Sequence, residues 1–137
     1  MFDIEQSLSV AIYRANQSIK ALFKEEFGDC GITPKQFILL LILWEHDGLT
    51  QIELSKRGSI DRATMGGIID RLEKKEFLVR RPSHEDRRVN HVWLTEQGRS
   101  CKEEFSSSVF RVRSRISARM TPEEFSRLHT LLIKLLK

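Results

Sequence analysis

The residues best suited to chemistry in this chain are arginines, and the chemistry they suggest is binding rather than catalysis. Residues 80–94 read RRPSHEDRRVNHVWL, which places Arg87 and Arg88 in a polar turn between two apolar segments. Residues 61–71 read DRATMGGIIDR, where small and polar side chains are spaced to share one helix face. Guanidinium groups make paired, directional hydrogen bonds to anions. No Ser/His/Asp set or carboxylate pair can be assembled, so we predict neither an enzyme nor a cofactor.

Length and composition indicate a single small globular chain, and its positive charge indicates an anionic partner. The chain has 137 residues, is 40% hydrophobic and carries a net charge of +4. Residues 51–94 contain ten basic and seven acidic side chains, so the positive excess lies near the two segments above. Cys30 and Cys101 have neither disulfide-framework nor metal-site spacing. The longest apolar run, at 37–44, is too short to span a membrane. Without a signal-peptide pattern, we expect a cytoplasmic protein with no metal.

Apolar spacing and capping residues predict where the helices lie. Apolar residues from Ile4 to Phe27 recur every three or four positions, which predicts a long amphipathic helix ended by Gly28 and Gly31. Three threonines each stand three residues before Gln or Glu, the pattern of a capping box, at 33–36, 50–53 and 121–124. Three helix starts follow from these boxes.

The middle of the chain predicts a short helix, a tight turn and a second helix. Gly58 soon ends the helix that starts at Gln51, and the next runs from Asp61 to about Lys75. Segments 78–81 and 89–94 flank a turn and are predicted to form a β-hairpin. Thr95 would cap a further long helix.

This order of elements is mainly α with a small β-hairpin wing, a winged helix-turn-helix accompanied by a helical dimerisation domain. We expect residues 1–32 to form an N-terminal dimerisation helix, residues 33–95 a winged helix-turn-helix DNA-binding domain and residues 96–137 the C-terminal dimerisation helices. The first and last helices carry more apolar surface than a monomer of this size hides easily.

In a helix-turn-helix the second helix enters the major groove of DNA. We expect Arg62 to contact guanine or phosphate and Thr64 to contact a thymine methyl or phosphate. For any one of these side chains, a solvated surface role is equally open. The candidate DNA-binding residues of this segment are Ser59, Arg62, Ala63, Thr64, Gly66, Gly67 and Arg71.

Two adjacent glycines inside a helix need a reason, because each costs roughly 0.5–1 kcal/mol relative to alanine. One reason is that the backbone at Gly66 and Gly67 must press close to DNA. The alternatives are a loose helix, or glycine making room for a neighbouring helix.

Charges on an isolated hairpin tip usually protect the sheet edge. After a major-groove helix, however, such a tip is placed to enter the adjacent minor groove, where the negative potential attracts arginine. Arg87 and Arg88 are therefore candidate DNA-binding residues too.

The wing motif Asp-Arg-Arg at 86–88, followed by Val-Trp-Leu-Thr-Glu-Gln-Gly at 92–98 and preceded by Leu-Glu-Lys-Lys at 72–75, resembles the MarR/SlyA family of bacterial transcription regulators. The resemblance covers essentially the whole chain. Its most specific part is the wing signature D-x-R followed by V-x-L-T. It implies a homodimer, joined by the first and last two helices, that binds double-stranded DNA. Each subunit would offer one winged helix to half of a pseudo-palindromic site.

The resemblance also implies roles for individual residues. Asp61 would pair with Arg88 and hold it against the recognition helix, with Asp86 helping to orient the wing. Arg88 would then enter the minor groove, and Arg87 would contact phosphate. Where the family commonly has a glycine after the recognition helix, this chain has Glu76-Phe77, so a left-handed cap there would cost roughly 1–2 kcal/mol.

The family resemblance further implies a repressor that a small aromatic or amphipathic effector releases from DNA. The candidate wall residues of an effector pocket are Tyr13, Phe37, Trp44 and Phe105. A ligand-free core explains these aromatic residues equally well. The chain lacks the early cysteine of the peroxide-sensing branch and the fifth-helix histidines of the zinc-sensing branch, which disfavours both.

A function from another class is also open. A winged helix can serve protein interaction, with the basic wing binding an acidic partner. Steep salt dependence and sequence preference in duplex binding would favour DNA over this alternative.

Overall fold

The structure is a computed structural model that describes Asp3 and residues 6–136. In that part of the chain it has helices α1 (Leu8–Phe27), α2 (Pro34–Glu45), α3 (Gln51–Gly58), α4 (Arg62–Lys74), α5 (Glu96–Ser117) and α6 (Pro122–Lys134), with strands β1 (Leu49–Thr50), β2 (Leu78–Pro82) and β3 (Asn90–Leu94). The predicted class, helices with a small β wing, is confirmed. Ile4, the predicted start of the first helix, lies outside the described residues.

The chain divides into two compact units, one of residues 30–106 and the other of residues up to 29 together with those from 107 onward. Within residues 30–106, the apolar faces of α2, α3 and α4 meet the inner face of the sheet. The residues buried there include Leu39, Leu40, Leu43, Leu54, Met65, Ile69, Leu72, Leu78 and Val92. This core fixes α4 on its inner side and leaves its other side to solvent.

The sheet has three antiparallel strands in the order β1-β3-β2, rather than the two-stranded hairpin that the sequence predicts. In β1, Leu49 pairs with Val92 and Thr50 with His91. A two-residue strand is too short to show an alternation of apolar and polar residues. Strand β1 exists only because it pairs with a distant segment, so the sequence did not predict it. The predicted hairpin is present as the longer pair, β2 with β3, in which Leu78 lies opposite Leu94 and Pro82 opposite Asn90.

Capping residues begin the helices where the sequence predicts. Thr33 and Thr121 form complete capping boxes, each with a proline in the first turn. At Thr50 the hydroxyl accepts from the Glu53 N–H at 3.2 Å, but the Glu53 carboxylate accepts from that hydroxyl and not from the backbone. Thr95 accepts from the N–H of Gly98 at 3.0 Å and so caps α5.

Two turns use a left-handed residue that is not glycine. The sequence predicts that Gly58 ends the short helix, and Gly58 is indeed the last residue of α3. The positive φ of the turn that follows lies one residue later, at Ser59 (51°). After α4, Glu76 has a φ of 65°, and the N–H of Phe77 bonds to the Leu72 carbonyl at 3.0 Å. Glu76 thus forms the left-handed helix cap that a glycine would form without strain.

In the other unit, α1 and the second half of α5 are joined by ion pairs. Arg111 lies 2.7 Å from Glu26, and Arg115 lies 2.5 Å from Glu25. The pKa of Glu26 is lowered, chiefly by its hydrogen bond with Arg111. No described residue of α6 is buried, and large apolar side chains stay exposed on α1 and α6, including Leu8, Ile12, Ile19, Leu128, Leu131, Leu132 and Ile133.

Candidate nucleic-acid interface

Asp61 fixes the first turn of α4. Its carboxylate accepts from the N–H of Thr64 and from the Thr64 hydroxyl, both at 2.8 Å. These two hydrogen bonds, the backbone one first, lower the pKa of Asp61. The helix start and the Thr64 side chain are therefore held in one conformation, with the Thr64 hydroxyl proton already donated.

The candidate residues of α4 share the face opposite its core. Met65, Ile68, Ile69 and Leu72 are buried, whereas Arg62, Ala63 and Arg71 are exposed and Thr64, Gly66 and Gly67 are half-buried. Ser59, in the turn before α4, is exposed as well. The fold therefore presents every candidate of this segment at least partly to solvent.

The two glycines of α4 have different surroundings. A Cβ added to Gly66 would lie 3.3 Å from Nε2 of Gln51, so this glycine makes room for a side chain of α3. At Gly67 the nearest atom to an added Cβ is an Arg71 nitrogen at 4.0 Å. Room for a neighbouring helix thus explains Gly66, while packing inside the chain leaves Gly67 unexplained.

At the wing tip, Arg88 pairs with Asp86. Its Nε and Nη2 donate to the two carboxylate oxygens at 3.1 and 3.2 Å, and its backbone N–H donates at 3.0 Å. These bonds, the side-chain ones first, lower the pKa of Asp86. The Arg88 side chain nevertheless remains 91% exposed, and Arg87 is exposed beside it.

The predicted ion pair between Asp61 and Arg88 is wrong for this structure. Both oxygens of Asp61 are engaged by Thr64, three residues away, and Arg88 is engaged by Asp86, two residues away. The bidentate contact between Asp86 and Arg88 supports the wing-orienting role predicted for Asp86.

Arg62 of α4 and Arg88 of the wing face a common open groove of about 260 Å³. Its other walls come from the start of α3 and from the beginning of β3. The remaining lining residues are Thr50, Gln51, Ile52, Val89 and Asn90. An anionic ligand in this groove would meet guanidinium groups from two separate elements.

Sequence reasoning missed Gln51, Asn90 and Arg80. Gln51 and Asn90 line the groove because α3 and β3 converge there, and no spacing rule brings positions 51 and 90 together. Arg80 lies on the inner face of β2, in line with buried Leu78. An arginine at an inward strand position is a signal that the alternation could have given.

Three of the four aromatic residues predicted to line an effector pocket lie close together within one compact unit. Phe37, Trp44 and Phe105 belong to the 30–106 unit, with ring centroids 6.0 Å apart for Phe37–Trp44 and 6.2 Å for Trp44–Phe105. The Trp44 indole N–H donates to the Gly98 carbonyl at 2.9 Å. Tyr13 lies on α1 in the other unit and is 63% exposed. The pocket therefore stays a prediction.

The described residues contain no group of three or more His, Cys, Asp and Glu side chains arranged to hold a metal ion. Across Asp3 and residues 6–136, no helix has the length and apolarity needed to cross a bilayer. Cys101 is buried, and burial raises the pKa of its thiol to about 11.

Comparison with known proteins agrees with this architecture. The sequence model of the MarR family matches residues 32–89 of this chain. The HTH-type transcriptional repressor NicR of Pseudomonas putida is 34% identical over 97 residues, which cover 71% of this chain and 61% of the repressor. The organic hydroperoxide resistance transcriptional regulator of Bacillus subtilis is 30% identical over 100 residues, 73% of this chain and 68% of the regulator. The match thus spans less than two thirds of the first relative.

One solved structure concerns BpsR of Bordetella bronchiseptica and the regulation of its DNA binding by 6-hydroxynicotinic acid. It is 26% identical, has a TM-score of 0.93 and covers 100% of this chain and 98% of that one. The winged helix, its wing motif and these relatives lead to one conclusion: the chain belongs to the MarR family.

Proposed function

We propose that this protein is a sequence-specific, double-stranded DNA-binding transcriptional repressor. The observation that carries the proposal is the groove lined by Arg62 and Arg88. It gives one polyanion access to the start of the helix that reads a major groove and to a wing that reaches a minor groove. We assign DNA binding to residues 33–95, which fall within the compact unit of residues 30–106.

Within this proposal the candidate residues divide by task. Arg62, Ala63, Thr64, Gly67 and Arg71 face the bases, Ser59 and Arg87 face phosphates, and Arg88 enters the minor groove with Asp86 holding it. Gly66 allows α3 and α4 to approach each other. Asp61 sets the first turn of α4 and does not hold the wing. Phosphate contacts set affinity and base contacts set specificity.

We propose that the repressor acts as a homodimer on a pseudo-palindromic operator. The exposed apolar side chains of α1 and α6 support this, since a soluble monomer rarely leaves such a surface uncovered. Residues 1–32 and 96–137 would form the dimer interface. Sedimentation at micromolar concentration should give a mass near twice 16.0 kDa. A monomer there would remove the two-half-site geometry.

Release by a small aromatic or amphipathic effector is proposed by analogy with BpsR, whose DNA binding 6-hydroxynicotinic acid regulates. An effector acts this way when it binds better to a dimer whose recognition helices are not one DNA turn apart. Tyr13, Phe37, Trp44 and Phe105 remain the proposed wall. We further propose that the protein works in the cytoplasm, where its DNA lies, and that it is not an enzyme.

The proposal is tested with a labelled duplex from the region upstream of the gene and a scrambled duplex of equal length. Fluorescence anisotropy at several salt concentrations should show tighter binding to the upstream duplex and a slope near −0.9 per phosphate neutralised. Arg62→Ala should reduce the preference between duplexes, whereas Arg87→Ala should weaken both alike. Lys102→Ala, at an exposed position of α5, serves as the charge-matched control. Equal binding of the two duplexes would favour an acidic protein partner instead.

A further inference from the structure

Arg80 lies outside the proposed DNA surface, yet it connects the three elements that form that surface. It belongs to the wing strand β2 and contacts both α3 and α4. Only 20% of its side chain is exposed. Its Nη1 is 2.7 Å from Asp70 and 2.9 Å from Glu73, both on α4. Its backbone N–H also donates to Glu73, at 3.1 Å. The wing strand is thus fastened to α4 by side chain and backbone together.

The same guanidinium reaches the beginning of α4 and the neighbouring helix. Its Nη2 donates to the Gly66 carbonyl oxygen at 3.2 Å, and its Nε donates to the Gln51 side-chain oxygen at 3.5 Å. All three guanidinium nitrogens therefore have partners inside the protein. A carbonyl within a helix can accept this extra bond because its oxygen has two lone pairs.

The glycine at position 66 belongs to this arrangement. An added Cβ would lie 3.3 Å from Nε2 of Gln51, the amide whose oxygen accepts from Arg80. A methyl group at position 66 would therefore require the Gln51 amide, which also bonds to Arg80, to shift by a few tenths of an ångström. Gly66, Gln51 and Arg80 act as one packed unit, which we name the Arg80 clamp together with Asp70 and Glu73.

We infer that the Arg80 clamp is a positioning device that sets the placement of α3, α4 and the wing relative to one another, and so determines sequence discrimination without touching DNA. The inference rests on the proposed function for its second half. Base readout requires donors and acceptors held within a fraction of an ångström, and a planar fork fixed by several partners gives that rigidity. A phosphate contact is the competing role, and it would require Arg80 to leave these partners.

Arg80→Lys separates the two roles. Lysine retains a cation for Asp70 and Glu73, but its single ammonium group cannot also reach Gln51 and the Gly66 carbonyl with the geometry of a fork. A lysine serves well as a phosphate contact. The matched control is Arg81→Lys, which makes the same change at the next position of β2, where the side chain is exposed.

In the two-duplex assay, Arg80→Lys should lower the ratio of upstream to scrambled affinity roughly tenfold, the discrimination of one base contact. The salt slope should not change, and Arg81→Lys should keep the wild-type ratio. A retained ratio in Arg80→Lys would overturn the inference. So would a shallower salt slope with equal weakening on both duplexes.

A second measurement does not depend on DNA. Amide hydrogen exchange of free Arg80→Lys should be faster in α4 and β2 than in the wild type and in Arg81→Lys, because the fastening between them is lost. Wild-type exchange rates there would refute the clamp itself. If exchange accelerates but the wild-type protein does not discriminate between duplexes, the clamp stands and the proposed function fails.

Discussion

Gly67→Ala should stabilise the protein and weaken its binding to DNA. The substitution adds one methyl group to the outer face of α4, where the nearest atom outside the helix backbone and the adjacent residues would be an Arg71 side-chain nitrogen 4.0 Å away. Gly67 lies inside the helix and has no positive φ. Alanine therefore meets no clash, and the gain is the difference in helix propensity, about 0.5–1 kcal/mol.

For a chain of this length that gain corresponds to a rise in Tm of roughly 2–4 °C. Scanning calorimetry should use one fixed protein concentration, because a dimer's Tm depends on concentration. On DNA the same methyl would intrude into a close contact. An overpacked contact costs about 1–3 kcal/mol, which is roughly a 5- to 150-fold loss of affinity.

Gly66→Ala is the matched control, since the same methyl one position earlier meets Gln51 at 3.3 Å. Its gain in helix propensity should be offset by displacement of that side chain, so its Tm should rise less than that of Gly67→Ala. A lower Tm for Gly67→Ala would refute the packing argument. A higher Tm with unchanged affinity for the upstream duplex would refute the close approach of α4 to DNA.

Three further outcomes follow from single residues. Glu76→Gly should raise the free energy of unfolding by about 0.5–1 kcal/mol, because it removes a left-handed strain of roughly 1–2 kcal/mol but adds unfolded-state entropy; an unchanged urea midpoint would contradict this. At pH 8 only about one Cys101 thiol in a thousand is ionised, so iodoacetamide should label Cys101 only after unfolding, and rapid labelling of native protein would count against its burial. The lowered pKa of Asp61 means that its stabilisation is complete above the ordinary value and is lost as pH falls through the folded one. Asp61→Asn should therefore lose less Tm between pH 7 and pH 3 than the wild type, and equal losses would exclude the ionised cap as the cause.

Features encoded by neighbouring residues could be predicted from the sequence. Thr33 and Thr121 cap helices through partners three residues away, and a capping box contains all of its own parts. The amphipathic spacing of α4 likewise predicts the buried positions of Ile68, Ile69 and Leu72, although it also places Ala63 toward the core, where the structure has it exposed. The left-handed cap at Glu76 was implied only by the family resemblance, since the family commonly has a glycine after this helix.

Features that depend on distant partners could not be predicted in this way. Strand β1 exists because Leu49 and Thr50 pair with residues more than forty positions away. The role of Arg80 needs Gln51, 29 positions earlier, and no local pattern links the two. The family resemblance supplied one long-range contact, Asp61 with Arg88, and there the shorter local bonds prevail.

The carboxylates near the proposed interface have partners that, within the described residues, leave several of its arginines without an ion pair. Asp61 is bonded to Thr64, Asp70 and Glu73 are bonded to Arg80, and only Asp86 holds an arginine of the outer surface. Among the described residues no ion pair involves Arg62, Arg71 or Arg87, which stay exposed. An approaching duplex would therefore meet three exposed guanidinium groups that need not first break an internal ion pair.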